Sequence, residues 1–259
     1  MSTPVDVAHI TYPQSDGKPM ADNTTQFRWI VTIQGGLDAL FRDHPDIFVA
    51  GDLLWYPVEG HPEISTAPDA MVAFGRPKGD RGSYLQWEED GIAPQIVFEI
   101  LSPGNTIAGM TRKFRFYERY GVEEYYLYDP DSGELSGWQR QSETLEEITS
   151  MEGWISPRLG VRFELESRTL QVYQPDGERF ATYVELMQQR EQERQRAEQE
   201  HQRAEQERQR AEQEHQRAEQ ERQRAEQEHQ RAEQERQRAE RLADQLRALG
   251  IDLEADGNR

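Results

Sequence analysis

Gln95-Ile96-Val97-Phe98-Glu99-Ile100-Leu101-Ser102-Pro103-Gly104-Asn105 is the stretch on which the fold turns. A short apolar run closed by Pro and Gly predicts a strand. Because the run is nearly continuous rather than alternating, the strand should be covered on both faces. A carboxylate between Phe98 and Ile100 is then costly to bury unless it meets a cation, a hydrogen-bond donor or a raised pKa. Glu99 is therefore the first candidate functional residue. Two plainer alternatives stay open: that it faces solvent, or that it pairs with Lys113 or Arg112 as an ordinary ion pair.

Similar runs lie upstream. Ala70-Met71-Val72-Ala73-Phe74 predicts a second strand, and Ile47-Phe48-Val49-Ala50, continuing through Leu53-Leu54-Trp55 to a stop at Pro57 and Gly60, a third. Before these, Phe27, Ile30, Val31, Ile33, Leu37, Leu40 and Phe41 recur at helical intervals behind a capping Asn23 or Thr24, with Gly35 and Gly36 expected to weaken or kink the helix. Between the second strand and the decisive one, residues 75–91 read as a long loop rich in glycine and charge. Its Arg76, Lys78, Arg81 and Tyr84 form the best local patch for a phosphate backbone, although Glu88, Glu89 and Asp90 follow directly. Downstream, residues 107–120 predict a helix closed by Gly121. Glu124 to Tyr128, a turn at Asp129 to Gly133, and Leu135 to Gln139 predict a strand and its hairpin partner. Residues 145–173 read as a β meander extending the same sheet. Residues 1–22 are an extended lead-in, 23–182 the globular domain and 183–259 a charged helical tail.

The tail repeats Arg-Ala-Glu-Gln-Glu-His/Arg-Gln with a period of seven, placing alanine at 197, 204, 211, 218, 225, 232 and 239. These residues are strong helix formers with opposite charges three or four apart. Three residues beyond each alanine stands a glutamate, so the seam offers one small apolar residue per heptad. A salt-bridged spacer and a weak oligomerisation coil both fit, with the apolar stripe Ala239, Leu242, Leu246, Leu249 and Leu253 as the best clamp for a homo-oligomer. His201, His215 and His229 recur fourteen residues apart, about 21 Å along a helix, and cannot share one ion.

The chain carries a formal charge of −19. From Arg190 to Arg241, 15 glutamates stand against 13 arginines, so about −17 lies outside the repeats. That charge repels polyanions, and a nucleic-acid substrate needs local basic groups or bound cations. The absence of cysteine removes disulfides, Cys-type zinc sites and thiol nucleophiles. Residues 1–14 lack the basic start and apolar run of a signal peptide, and no run approaches a membrane span, so the expectation is a cytoplasmic protein with no membrane association. No Walker loop, nucleophile elbow or zinc-spaced cluster is present. His9, His44 and His61 read as ordinary polar residues, and Tyr117, Tyr120, Tyr125, Tyr126 and Tyr128 as packing.

Chemistry concentrates in Asp69 opening a strand, Glu99 inside the next, and Lys113 on the following helix. Pro68-Asp69 is also a common turn pair. Taken together, though, carboxylates on adjacent strands can share one Mg²⁺ or Mn²⁺, which favours oxygen ligands and lowers the pKa of bound water. A lysine nearby can stabilise developing charge. The ordered set Ala67-Pro68-Asp69, Val97-Phe98-Glu99-Ile100-Leu101-Ser102-Pro103-Gly104-Asn105, Arg112-Lys113-Phe114, Tyr117, Gly121-Val122-Glu123-Glu124-Tyr125 and Tyr128-Asp129-Pro130 resembles the Uma-two restriction endonuclease family, over roughly residues 25–185. That family is identified as a member of the PD-(D/E)xK nuclease superfamily. The resemblance implies an α/β fold, a restriction-endonuclease-like mixed sheet flanked by helices. It implies Asp69, Glu99 and the Ile100 carbonyl as metal ligands, with Lys113 replacing the motif lysine that would stand where Leu101 is. Many members carry an acid four residues before that lysine, where this chain has Gly109. The expected function is a metal-dependent endonuclease acting on DNA; the alternative is a catalytically silent nuclease fold serving as an interaction module multimerised by the tail.

Overall fold

A computed structural model describes residues 10–17 and 19–248. His9, Leu249, Leu253 and parts of the lead-in lie outside them. The described chain divides into two units between Met187 and Gln188. The first contains helix α1 (Thr24–Leu40), strands β1 (Ile47–Ala50), β2 (Trp55–Tyr56), β3 (Ala70–Phe74), β4 (Tyr84–Leu85) and β5 (Ile96–Ile100), and helix α2 (Ile107–Tyr120). Strands β6 (Glu124–Asp129), β7 (Glu134–Gln141), β8 (Thr144–Glu147), β9 (Arg162–Glu166) and β10 (Thr169–Tyr173) follow, and helix α3 runs over Tyr183–Ala248.

Six strands form one mixed sheet in the order β1-β3-β5-β6-β7-β8. Within it β5 and β6 are parallel, joined by α2, and the other neighbours are antiparallel. The decisive run is the third strand of the six, and all five residues of β5 are buried, as a strand covered on both faces requires. Side-chain alternation sorts its neighbours. Ala70, Val72, Ile96, Phe98, Ile100, Tyr126 and Tyr128 face Ile30, Ile33 and Leu37 of α1 together with Phe163, Leu170 and Val172. Met71, Ala73, Val97 and Tyr125 face Tyr117 of α2, Trp55 and Tyr84. Glu99 shares the parity of Val97 and so points to the α2 side. The β3–β5 register pairs Ala70 with Phe98; one step further along, the antiparallel ladder would bring Asp69 opposite Glu99.

Several local expectations change. The run from Ile47 does not continue through Trp55: the chain turns at Asp52, whose φ is +49°, and Trp55–Tyr56 pairs with β4 as a separate two-stranded sheet. The 75–91 loop is folded rather than solvated. Arg76 pairs with Asp90, Arg81 with Glu89 and Lys78 with Asp38, while Tyr84 is fully buried and donates to the Ile92 carbonyl. The 145–173 stretch only partly extends the sheet. β8 does, but β9 and β10 pair with each other as a ribbon through a turn at Ser167 and Arg168, both with positive φ. Four of the five singled-out tyrosines, all but Tyr120, are buried packing residues.

Helix α3 is continuous for 66 residues, about 100 Å at 1.5 Å per residue, and buries no side chain. Among the described residues no helix is long and apolar enough to cross a membrane.

Helix α1, capped by the Asn23 side chain, passes through Gly35 and Gly36 unbroken. Gly36 is there for clearance: a Cβ at that position would come within 2.3 Å of the Phe180 ring, whereas one at Gly35 would meet nothing within 4 Å. In urea unfolding, Gly35→Ala is expected to stabilise the domain by up to about 1 kcal/mol through helix propensity. Gly36→Ala should instead destabilise it by about 1–3 kcal/mol through overpacking.

Candidate active site

Three elements separated in sequence meet on the α2 face at the carboxyl end of β5. Strand β5 supplies Glu99, 3% exposed, and the end of the loop before β3 supplies Asp69, 8% exposed. Helix α2, entered through the Thr106 cap and closed by Gly121 at φ +97°, presents Lys113 and Tyr117 one turn apart. The Lys113 ammonium donates to both Glu99 oxygens, at 2.8 and 2.7 Å, and to the Ala67 carbonyl at 3.2 Å. The Tyr117 hydroxyl, fully buried, donates to Glu99 Oε1. Glu99 thus meets the condition its burial imposes, and does so through an ion pair with Lys113, which was one of the plainer alternatives.

Asp69 is not a solvent-facing turn residue. Its Oδ2 accepts the Ile100 N–H at 2.6 Å. The Ile100 carbonyl, the backbone ligand implied by the resemblance, accepts from Gln26 Nε2 at 2.9 Å. Both backbone groups of Ile100 are therefore engaged by side chains at the point where the β3 ladder stops. Burial, followed by the charge of Glu99, pushes the Asp69 carboxyl up to about 8, against the opposing pull of Lys113. Burial opposes the charge on Lys113, but Glu99 and Asp69 outweigh it and hold the ammonium above its ordinary range. Burial and Glu99 hold the Tyr117 phenol well above its usual value, so it is a donor at all ordinary pH.

The site opens into a cleft of about 570 Å³ whose described lining includes Asp16, Asp22, Asp52 and Asp69, with Lys113 as the one cation. Burial and then Asp16 raise the Asp52 carboxyl. Among the described residues no three His, Cys, Asp or Glu side chains converge into a metal-holding group. A divalent ion here would therefore rest on the two carboxylates Asp69 and Glu99, backbone oxygen and water. That donor set suits magnesium, which keeps several waters and uses one or two carboxylates. The fit is chemical as well: a buried acid held near 8 by a second acid is relieved by a cation.

Gly109 and Leu101 take different parts. Gly109 donates its N–H to the Thr106 side chain in the helix cap, so an acid at that position is absent from the first turn. Leu101 lies two residues beyond Glu99 on the strand and lines a separate, apolar cavity with Phe114. Gln26, Asp52 and Tyr117 were not singled out as site residues. Only Tyr117 carried a legible signal, its i+4 spacing from Lys113. His61 is exposed and pairs with Glu63.

A family model described as "Putative restriction endonuclease" (Uma2) matches residues 18–171. No curated protein sequence matches. Among solved structures, the chain is similar to one described as a putative nuclease belonging to DUF820 from Anabaena variabilis ATCC 29413. The identity is 19% and the TM-score 0.41, covering 54% of this chain and 74% of that one.

Two outcomes are expected from the site's electrostatics. Lys113→Met leaves Glu99 buried without its cation and should cost about 3 kcal/mol in urea unfolding; adding Glu99→Gln should recover much of that loss. Asp69 binds a proton in the folded chain up to about pH 8 but loses it near its ordinary value when unfolded. Its contribution to stability therefore falls as pH rises from the carboxylate range to about 8. In EDTA, the unfolding midpoint of Asp69→Asn should decline less than that of the wild type between pH 5.5 and 8.5.

Proposed function

The chain belongs to the Uma2 family, described as putative restriction endonucleases, and from that premise we propose that it is a metal-dependent endonuclease hydrolysing phosphodiester bonds in DNA. The observation that carries the reading is the convergence of Asp69, Glu99 and Lys113 from three elements onto one acidic cleft. Asp69, Glu99 and the Ile100 carbonyl would hold Mg²⁺ or Mn²⁺. A bound divalent ion lowers the pKa of its water and neutralises charge on a phosphoryl oxygen.

The chain's own groups have distinct tasks. Asp69 must release its proton to act as a ligand, so at neutral pH binding costs a deprotonation. Glu99 is fixed in place by Tyr117 and Lys113, which removes the entropy of orienting it. Lys113, the cation of the cleft lining, is placed to stabilise charge developing on the phosphoryl group. Gln26 fixes the Ile100 carbonyl by donating to it. The four aspartates of the cleft oppose a bare phosphate and favour one that arrives with cations.

Purified protein should nick plasmid DNA or cut single-stranded DNA in Mg²⁺ or Mn²⁺, lose that activity in EDTA, and fall at least about 100-fold in Asp69→Ala and Glu99→Ala, the order of loss for removing a group that stabilises transition-state charge. Cleavage that survives both substitutions, or no cleavage with either ion, would favour the silent interaction module. Independently of turnover, Mn²⁺ affinity followed by electron paramagnetic resonance should rise about tenfold per pH unit below 8 and flatten above it, because binding displaces the Asp69 proton.

A further inference from the structure

The α2 face of the sheet carries a second cavity. Whereas Lys113 and Tyr117 point into the Glu99 site, Ile107, Met110 and Phe114 follow each other at helical spacing along another side of α2 and line a pocket of about 610 Å³. Leu127 and Trp138 of the sheet form its walls. Trp138 is stacked on Tyr125 at 5.1 Å between ring centroids and met edge-on by Phe114 at 5.5 Å, so its ring is firmly seated. Asn105 lines both this pocket and the acidic cleft. The turn from Ser102 to Asn105 and the start of α2 are thus a shared wall between the two.

The chemistry of the pocket selects among parts of a nucleotide. Its described lining contains the carboxylates Asp129 and Asp131 and no cation, which disfavours a phosphate. Its aromatic and aliphatic walls suit a flat, neutral ring, and the carboxylate oxygens accept from exocyclic amino groups. A volume of this size is typical of small-ligand sites. The rest of the domain offers the phosphate backbone little, since Arg76, Arg81 and Lys78 are engaged with Asp90, Glu89 and Asp38 and the chain carries −19. Affinity from counterion release is correspondingly small, and stacking of bases has to supply it.

We propose that this pocket receives an unpaired nucleobase from the strand whose phosphate enters the cleft, so that the substrate is single-stranded or locally unpaired nucleic acid. The assignment rests on the nuclease reading above and adds to it the strand form. A paired base cannot present its face to Trp138 without leaving its stack, an unstacking cost that a single strand largely avoids.

The full chain, in EDTA to prevent turnover, is titrated by fluorescence anisotropy with a labelled single-stranded oligonucleotide, the same sequence as a duplex, and an abasic strand of equal length. Single strand should bind at least about tenfold more tightly than duplex, and the abasic strand should lose about as much, the order expected for one stacked base. Ile107 is 89% exposed at the pocket mouth, so Ile107→Asp should leave the melting temperature unchanged. It should weaken single-strand binding about tenfold, by setting a charge where a base must pass. Equal affinity for duplex or abasic strand, an unaffected Ile107→Asp variant, or no binding of any strand overturns the proposal. So does self-association of the wild type abolished by Ile107→Asp, which would assign the pocket to a second copy of the chain. Cleavage by the same preparation in Mg²⁺ is scored separately. Cutting without single-strand preference overturns the pocket alone, and single-strand binding without cutting overturns the nuclease reading alone.

Discussion

The buried carboxylate of Glu99 and the ammonium of Lys113 constrain the rest of the active-site face. A charge in the third strand of a covered sheet cannot be hydrated, so its partner must come from the element lying over that strand. Helix α2 is that element, and both its start and its end are set to deliver Lys113 and Tyr117 to the same oxygens. The β5-α2-β6 crossover, with β5 and β6 parallel, therefore serves two ends: it completes the sheet and it neutralises the site. A buried pair of this kind is weak evidence of stabilisation in itself. Its value lies in fixing the geometry of Glu99 beside Asp69.

Asp69 is placed by a different device. The β3 ladder ends one residue after it, and the side chain takes over the hydrogen bond that the strand would have made with the Ile100 N–H. The same peptide segment is held on its carbonyl side by Gln26 from α1. Helices on opposite faces of the sheet thus both reach the end of β5. The functional end of the strand is where regular pairing stops, and side chains replace it.

Much of this was legible in the sequence, and for identifiable reasons. The continuous apolar run around Glu99 encodes a doubly covered strand. Gly121 encodes the end of α2, and the seven-residue period encodes α3. What pattern reading could not supply were contacts between distant segments: Gln26 on the Ile100 carbonyl, Phe180 over Gly36, and Glu89 between Arg76 and Arg81. The misread 75–91 loop shows why. Its charges look solvated one at a time, but they fold onto each other around a buried tyrosine. The β9–β10 ribbon was misassigned for a related reason, since its strands carry ordinary alternation but pair only with each other. For the site, Asp69, Glu99, Ile100 and Lys113 were all singled out, and all four meet; the tyrosine and glutamine that orient them were not.

Helix α3 has a property that follows from its arithmetic. Its histidines mark a unit of fourteen residues, about 21 Å of rise, and fourteen residues turn an α-helix through 1400°, only about 40° short of four whole revolutions. Insertion or loss of one such unit during replication of so repetitive a coding sequence would lengthen or shorten the rod by a fixed step while barely rotating its far side. The chain therefore contains a length that can be retuned in quanta, without breaking the helix and without touching a residue of the nuclease-family domain.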